Sequence, residues 1–271
     1  MNSEEKSAVG RASVDRQTGG NLKEAVSEAA EAVGGFKKFV KAGDVVLLKP
    51  NFNTADPFPA STDPEFLKAI VELVYDCGAK LVMIGESSTY TLNTRKVMEK
   101  LGIFDLQKGD KPARIYNFDE GRFVRKEIFD GKYLKSASVP ELLDRADKLI
   151  LLPCLKTHFQ AKYTGALKLS VGFMKSRERV GLHLRNIQEK IAELNKVIKA
   201  DLVIMDARKC FISGGPSKGE VREPNIILAS SSRTAIDIEG IKIIQSYEGN
   251  SLAGINPPEL PQIKRALELD L

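Results

Sequence analysis

The stretch STDPEFLKAIVELVYDCGAKLVMIGESS, residues 61–88, sets a helix directly before a strand. Thr62 or Asp63 can accept the first free N–H groups of a helix, Pro64 fits its first turn, and Glu65 suits the positive end of its dipole. Phe66, Leu67, Ile70, Val71, Leu73 and Val74 form its apolar side, and Gly78 ends it. LVMIG at 81–85 is then apolar without alternation, as in a strand covered on both faces, and VVLL at 45–48 has the same character. Strand, helix and strand in that order predict a parallel pair joined by a right-handed crossover.

The alternation continues outward. ARIYNF at 113–118, LILL at 149–152, LVIM at 202–205 and IILA at 226–229 read as further strands. Helical patterns fall at about 21–33, 93–101, 186–199 and 232–246. The expectation is an α/β protein, Rossmann-like, with a mostly parallel sheet and helices on both faces, formed as a single domain over residues 1–271. Within EGRFVRKEIFDGKYLKSASVPELL, residues about 120–140 read as an inserted hairpin. The first 20 residues read as frayed or as an edge strand.

Composition narrows the partners. The 41 basic and 36 acidic residues leave a net charge of +5 that is scattered along the chain. A mild, unclustered excess suits a small anionic molecule better than a nucleic-acid duplex. The absence of tryptophan leaves little for a base-stacking platform. Cys77, Cys154 and Cys210 lie far apart with no C-x-x-C, so neither a disulfide framework nor a cysteine-held zinc or iron–sulfur site is encoded. That usage fits a reducing compartment. The polar start MNSEEKSAVGR and the short apolar runs predict a cytoplasmic protein with no membrane contact.

In open α/β sheets, ligands bind beyond the carboxyl ends of the strands. KPNFN, ESSTYT, PCLKTH, DARKCFISGGPSKGE and SSSRT each follow an expected strand. Lys49 can balance an anion, and Asn51 offers donors and an acceptor. Ser87 can hold a phosphate or carboxylate at the next helix start or simply cap it, and Glu86 can act as a base. GGPSKG is no phosphate nest, because Pro216 lacks an N–H; it reads as a rim or lid with Lys218. Asp206 can position a ligand or a basic side chain, and Asp237 reads as a carboxylate satisfied by nearby backbone.

Both histidines of the chain, His158 and His183, fall in LPCLKTHFQAKYTGALKLSVGFMKSRERVGLHLRN, residues 152–186, with Lys156 and Lys168 between or beside them. Such crowding points to acid–base or metal work. Two histidines cannot fill a structural zinc site, so a metal would need further ligands from substrate or an organic cofactor. Burial of Lys168 among small apolar residues would lower its pKa and make it nucleophilic or imine-forming. The alternatives are pairing with an acid or reaching to solvent.

In their order, VVLLKPNFN, the 61–88 stretch, LPCLKTH, TGALKLSVGFMK, the later histidine and GGPSKGE…IILASSSRTAIDIEG resemble the domain-of-unknown-function 362 family, over about residues 40–247. Many members carry a fused ferredoxin-type module, which implies work beside a redox partner. This chain lacks that module's cysteines, so no cluster is implied here. A more distant similarity is to the N-terminal domain of lactate racemase-like enzymes, which attach a nickel-pincer nucleotide to a lysine flanked by histidines. His158 precedes Lys168 by ten residues and His183 follows it by fifteen. That similarity implies Lys168 as cofactor anchor, His183 as metal contact and His158 as acid–base or substrate group. The racemase family's further histidine, in G-x-H-R, is replaced by GESSTY, and its aspartate–arginine motif by KPNFN. Two functions stay open: an enzyme on a small carboxylate or phosphorylated compound, with His158, Lys168 and His183 catalytic, or a non-catalytic ligand-binding or redox-accessory protein.

Overall fold

The structure, a computed structural model, describes residues 8–14 and 21–271. Its strands are β1 (Gly10–Ser13), β2 (Val45–Lys49), β3 (Leu81–Glu86), β4 (Arg114–Asn117), β5 (Phe123–Glu127), β6 (Ser136–Pro140), β7 (Lys148–Leu151), β8 (Cys154–His158), β9 (Lys162–Thr164), β10 (Leu202–Ser213), β11 (Glu220–Arg222) and β12 (Ile226–Ser230). Its α-helices are α1 (Leu22–Glu31), α2 (Phe36–Phe39), α3 (Pro64–Asp76), α4 (Thr94–Lys100), α5 (Ala166–Leu169), α6 (Ser176–Leu184), α7 (Ile187–Leu194), α8 (Arg233–Gln245) and α9 (Pro261–Glu268).

The main sheet runs β1-β12-β10-β7-β2-β3-β4. The β10-β7-β2-β3-β4 portion is parallel. Each strand feeds alternate side chains to opposite layers, as period-2 geometry requires. In β2, Leu47 joins α5, α7, α8 and α9 on one side, while Val46 and Leu48 join α1, α3 and α4 on the other. Both layers are apolar, which is why these strands read as unbroken apolar runs. The opening helix forms as its sequence dictates: Asp63 caps it by accepting from the Glu65 N–H, Pro64 starts it, and Gly78 follows at φ +89°.

Two expectations about the strand ends are corrected. β12 runs antiparallel to β10, with Val203 opposite Ser230 and Ala207 opposite Ile226. SSSRT therefore lies at the far end of the sheet, where Ser232 caps α8 by accepting from Ala235 N. Likewise PCLKTH and much of DARKCFISGG are strand rather than loop: β8 pairs parallel with the long β10 and antiparallel with β9. Their polar residues hid the strand pattern, because one wall of β8 faces a cavity instead of the core.

β5 and β6 form the separate antiparallel hairpin. Its turn is pinned by the buried Glu193 carboxylate, which accepts the N–H groups of Lys132, Tyr133 and Leu134 and pairs with Arg265 at 2.8 Å. Of the first 20 residues, Gly10–Ser13 form an edge strand against β12. Residues 1–7 and 15–20, where fraying was also expected, lie outside the described residues. The amphipathic α9 went unread in the sequence; it buries Gln262, Ile263 and Ala266. No helix among the described residues is long and apolar enough to cross a membrane.

Candidate functional site

A cavity of about 610 Å³ opens beyond the carboxyl ends of β2 and β3, beside β8 and under the α5–α6 segment. Its floor begins with the last residues of two adjacent parallel strands. Lys49 ends β2 and Glu86 ends β3, and their side chains meet at 2.5 Å while only 1% and 2% exposed. Glu86 also accepts the N–H groups of Phe52 and Ser87, each at 2.8 Å. Lys49 donates to Pro50 O at 2.8 Å. Burial pushes the Lys49 amine below its usual range; Glu86 opposes that push and Arg179 adds to it. Gly172 passes directly over the pair. A Cβ there would sit 2.6 Å from Lys49 Nζ and 2.7 Å from Glu86 Oε1, so the close approach requires glycine.

Lys156 projects from β8, donates to Ala60 O, and is pushed down by burial to about 8. Lys168 rides on α5. Burial, with Lys156 and Arg179 adding like charge, lowers its amine to about 7, and no described residue hydrogen-bonds or ion-pairs with it. The segment that carries it is held firmly. Asp237 accepts the N–H groups of Ala166 at 2.6 Å and Leu167 at 3.0 Å, capping the turn, and Asn195 Nδ2 donates to Leu167 O at 3.0 Å. Asp237 thus plays the backbone-satisfying part expected of it. A fixed support under an unpartnered amine is what a working lysine needs.

The two imidazoles use Nδ1 in opposite ways. His158 Nδ1 accepts from the N–H groups of Gln160 and Ala161, both at 3.1 Å, so its proton resides on Nε2. Burial first, then the charges of Lys168, His183 and Lys156, lower His158 to about 2. His183 Nδ1–H donates to Arg179 O at 2.7 Å, leaving its Nε2 lone pair free. His158 is therefore a neutral donor, and His183 offers an acceptor or ligand atom. With only two histidines in the chain, imidazole nitrogen shifts resolve both. Between pH 4 and 9, His158 should remain in the Nε2–H form without titrating; protonation inside that window would contradict the assignment.

The sequence reading missed Arg179. It is buried on α6 and donates to the carbonyls of Met174, Ser87, Ser88 and Gly172, with no carboxylate partner. Its position inside SRERVGLHL, beside Arg177 and Glu178, looks like a solvated helix face; its only cue is its spacing of four residues before His183.

The structure brings Lys49, Asn51, Ser87, Lys156, His158, Lys168 and His183 to this one cavity. Asn51 and Ser87 are partly committed: Asn51 Nδ2 donates to Ala60 O at 3.0 Å, and Ser87 Oγ donates to Asp119 at 2.7 Å. Asp206 is not there. It lies within β10, fully buried, and its carboxylate is taken up by Arg208 at 2.7 Å. Its role is to position that basic side chain.

Among the lining residues, four basic side chains (Lys49, Lys156, Lys168 and Arg179) face one carboxylate, Glu86. An anion would restore the balance. For a metal the donor set is thin. No group of three or more His, Cys, Asp or Glu among the described residues could hold an ion. His183 Nε2 can contribute one bond, so a metal fits only inside an organic cofactor bringing its other ligands, with Lys168 and His183 beside it.

Comparison with known proteins adds the following. Residues 46–242 match the family described as Domain of unknown function (DUF362). A thylakoid-associated protein of Synechocystis is 32% identical over 236 residues, covering 83% of this chain and 71% of that protein. A crystal structure of a Thermotoga maritima protein is similar at 15% identity and TM-score 0.42, over 68% of this chain and 49% of that one. The lactate racemase apoprotein of Thermoanaerobacterium thermosaccharolyticum is similar at 12% identity and TM-score 0.45, over 90% of this chain. The chain spans 49% and 59% of the lengths of these two solved chains.

Proposed function

The chain belongs to the DUF362 family, and from that premise we propose that its cavity binds a small anionic molecule, a carboxylate or phosphate, on which Lys168 acts as proton acceptor or nucleophile. One observation carries the reading: a half-buried amine without a partner, lining a cavity with three other cations and a single carboxylate. Lys49, Lys156 and Arg179 supply the anchoring charge. The His158 Nε2–H can donate to an oxygen of the bound molecule, and His183 Nε2 can accept from one of its hydroxyl or N–H groups. A cytoplasmic location belongs to the same reading, supported by three free thiols.

Binding should depend on pH with a defined sign. An anion prefers the charged amines, so its binding raises their pKa and takes up protons. Affinity should therefore be highest below pH 7 and fall as Lys168, near 7, and then Lys156, near 8, lose theirs. The fall reaches about tenfold per pH unit for each proton taken up. Calorimetric titration with acetate and sulfate, whose charges are constant from pH 6 to 9, measures it. A flat profile would sink the proposal.

A non-catalytic ligand-binding or redox-accessory role is favoured by one observation: His158, its Nδ1 capped by backbone, is no base at neutral pH. Turnover lost in Lys168→Met would decide for the enzyme.

A further inference from the structure

The mouth of the cavity does not match its floor. Among the described residues nine large apolar side chains are exposed, and four of them, Tyr90, Phe159, Val180 and Leu184, line this one opening. Their exposures are 58%, 77%, 47% and 77%. Scattered exposed apolar residues need no explanation, but a ring of them around one cavity does. Val180 and Leu184 are one helical turn apart on α6 and so share a face. Phe159 is held in place by stacking on the His158 ring, centroids 4.9 Å apart. Further in, Leu169 and Val171 continue the apolar lining. The cationic side chains line the same space.

We propose that the ligand is an amphiphile, with an anionic head among Lys49, Lys156, Lys168 and Arg179 and an unbranched apolar tail along Leu169 and Val171 to the Phe159–Val180–Leu184 rim. This rests on the anion-binding reading above and adds the tail. The occupant is a single small molecule, because rim and cations border one continuous volume. About 610 Å³ is ordinary for an organic ligand and far more than acetate or sulfate fills. A protein surface or a bilayer would cover the rim and leave the cations unmatched.

A chain-length series tests it: acetate, butanoate, hexanoate and octanoate, titrated calorimetrically into the full chain at pH 6.5. Each added methylene buried against the apolar wall should tighten binding by about two- to fourfold. Phe159→Ser and Leu184→Ser change exposed residues, so the fold should persist, as a thermal scan would confirm. Each should lower the octanoate-to-acetate affinity ratio severalfold, and the double variant at least tenfold. Equal affinity along the series overturns the tail while leaving the anion site standing. An unchanged ratio in the double variant overturns it as well. If neither sulfate nor any acid binds, the anion reading itself fails. Flat affinities together with self-association that Leu184→Ser abolishes would make the rim a contact between copies and refute the amphiphile.

Discussion

Glu86→Gln should destabilise the folded protein by about 3–5 kcal/mol, the usual loss when one member of a buried ion pair is removed. Glutamine keeps the shape but has one oxygen where Glu86 uses two, so it can accept from Phe52 N or Ser87 N but not both, and the Lys49 ammonium is left with Pro50 O and no counter-charge. The defect should be pH-dependent. Lys49 already has a lowered pKa in the folded state, and losing Glu86 lowers it further. Between that lowered value and about pH 10.5 the unfolded chain binds more protons than the folded one, so the variant's stability should climb with pH more steeply than wild type. Lys49→Met combined with Glu86→Gln should recover much of the loss, since no unpaired charge remains. Urea denaturation at pH 6.5 and 10 measures all three proteins. A loss below 1 kcal/mol, roughly the range of an exposed pair, would show the pair to be solvated.

Lys168→Met should do the opposite, stabilising the unliganded protein while weakening anion binding. Unfolded, Lys168 keeps its proton to about pH 10.5; folded, it releases it near 7. Between those values the unfolded state binds more protons, so wild-type stability rises with pH. At and below pH 7 the folded protein carries the cost of a half-buried, partly desolvated ammonium, on the order of 2–4 kcal/mol. Methionine removes that cost, so its advantage should be largest at pH 7 and below and vanish near pH 10.5. Acetate and sulfate affinity should drop about tenfold or more in the same variant. A gain in stability with a loss of function is the signature of a residue kept for its chemistry. A variant less stable than wild type at pH 6.5 would mean that the amine has a structural partner.

The layers of the fold were legible because both faces of the central strands are apolar. VVLL, LVMIG and LILL could hardly be anything else, and the caps at Asp63 and Gly78 punctuate the helix between. Strand direction was not legible. Nothing local in IILASSS tells an antiparallel neighbour from a parallel one, so Ser230–Arg233 were placed at the wrong end. β8 was hidden for a different reason: Lys156 and His158 sit on a strand whose exposed wall is a cavity, so no apolar alternation marks it. The crowding of both histidines around Lys168 was visible in composition alone. Arg179 was not, because burial of a charge is decided by four carbonyls from residues 87, 88, 172 and 174, none of which a charged side chain announces. The tautomers depend on single backbone contacts and lie beyond any residue pattern.

The opposed rings have a consequence for handedness. His158 can only give a hydrogen to the cavity, and the neutral His183 ring, with its hydrogen on Nδ1, can only receive one. Together with the ammonium cluster they form three contacts of different kinds, each fixed to its own element of the scaffold. Three unlike contacts are the minimum by which a surface tells a molecule from its mirror image. A ligand bearing a charged group, a hydrogen-bond acceptor and a hydroxyl as substituents of one tetrahedral carbon would satisfy all three in one enantiomer, and leave at least one of them facing the wrong way in the other.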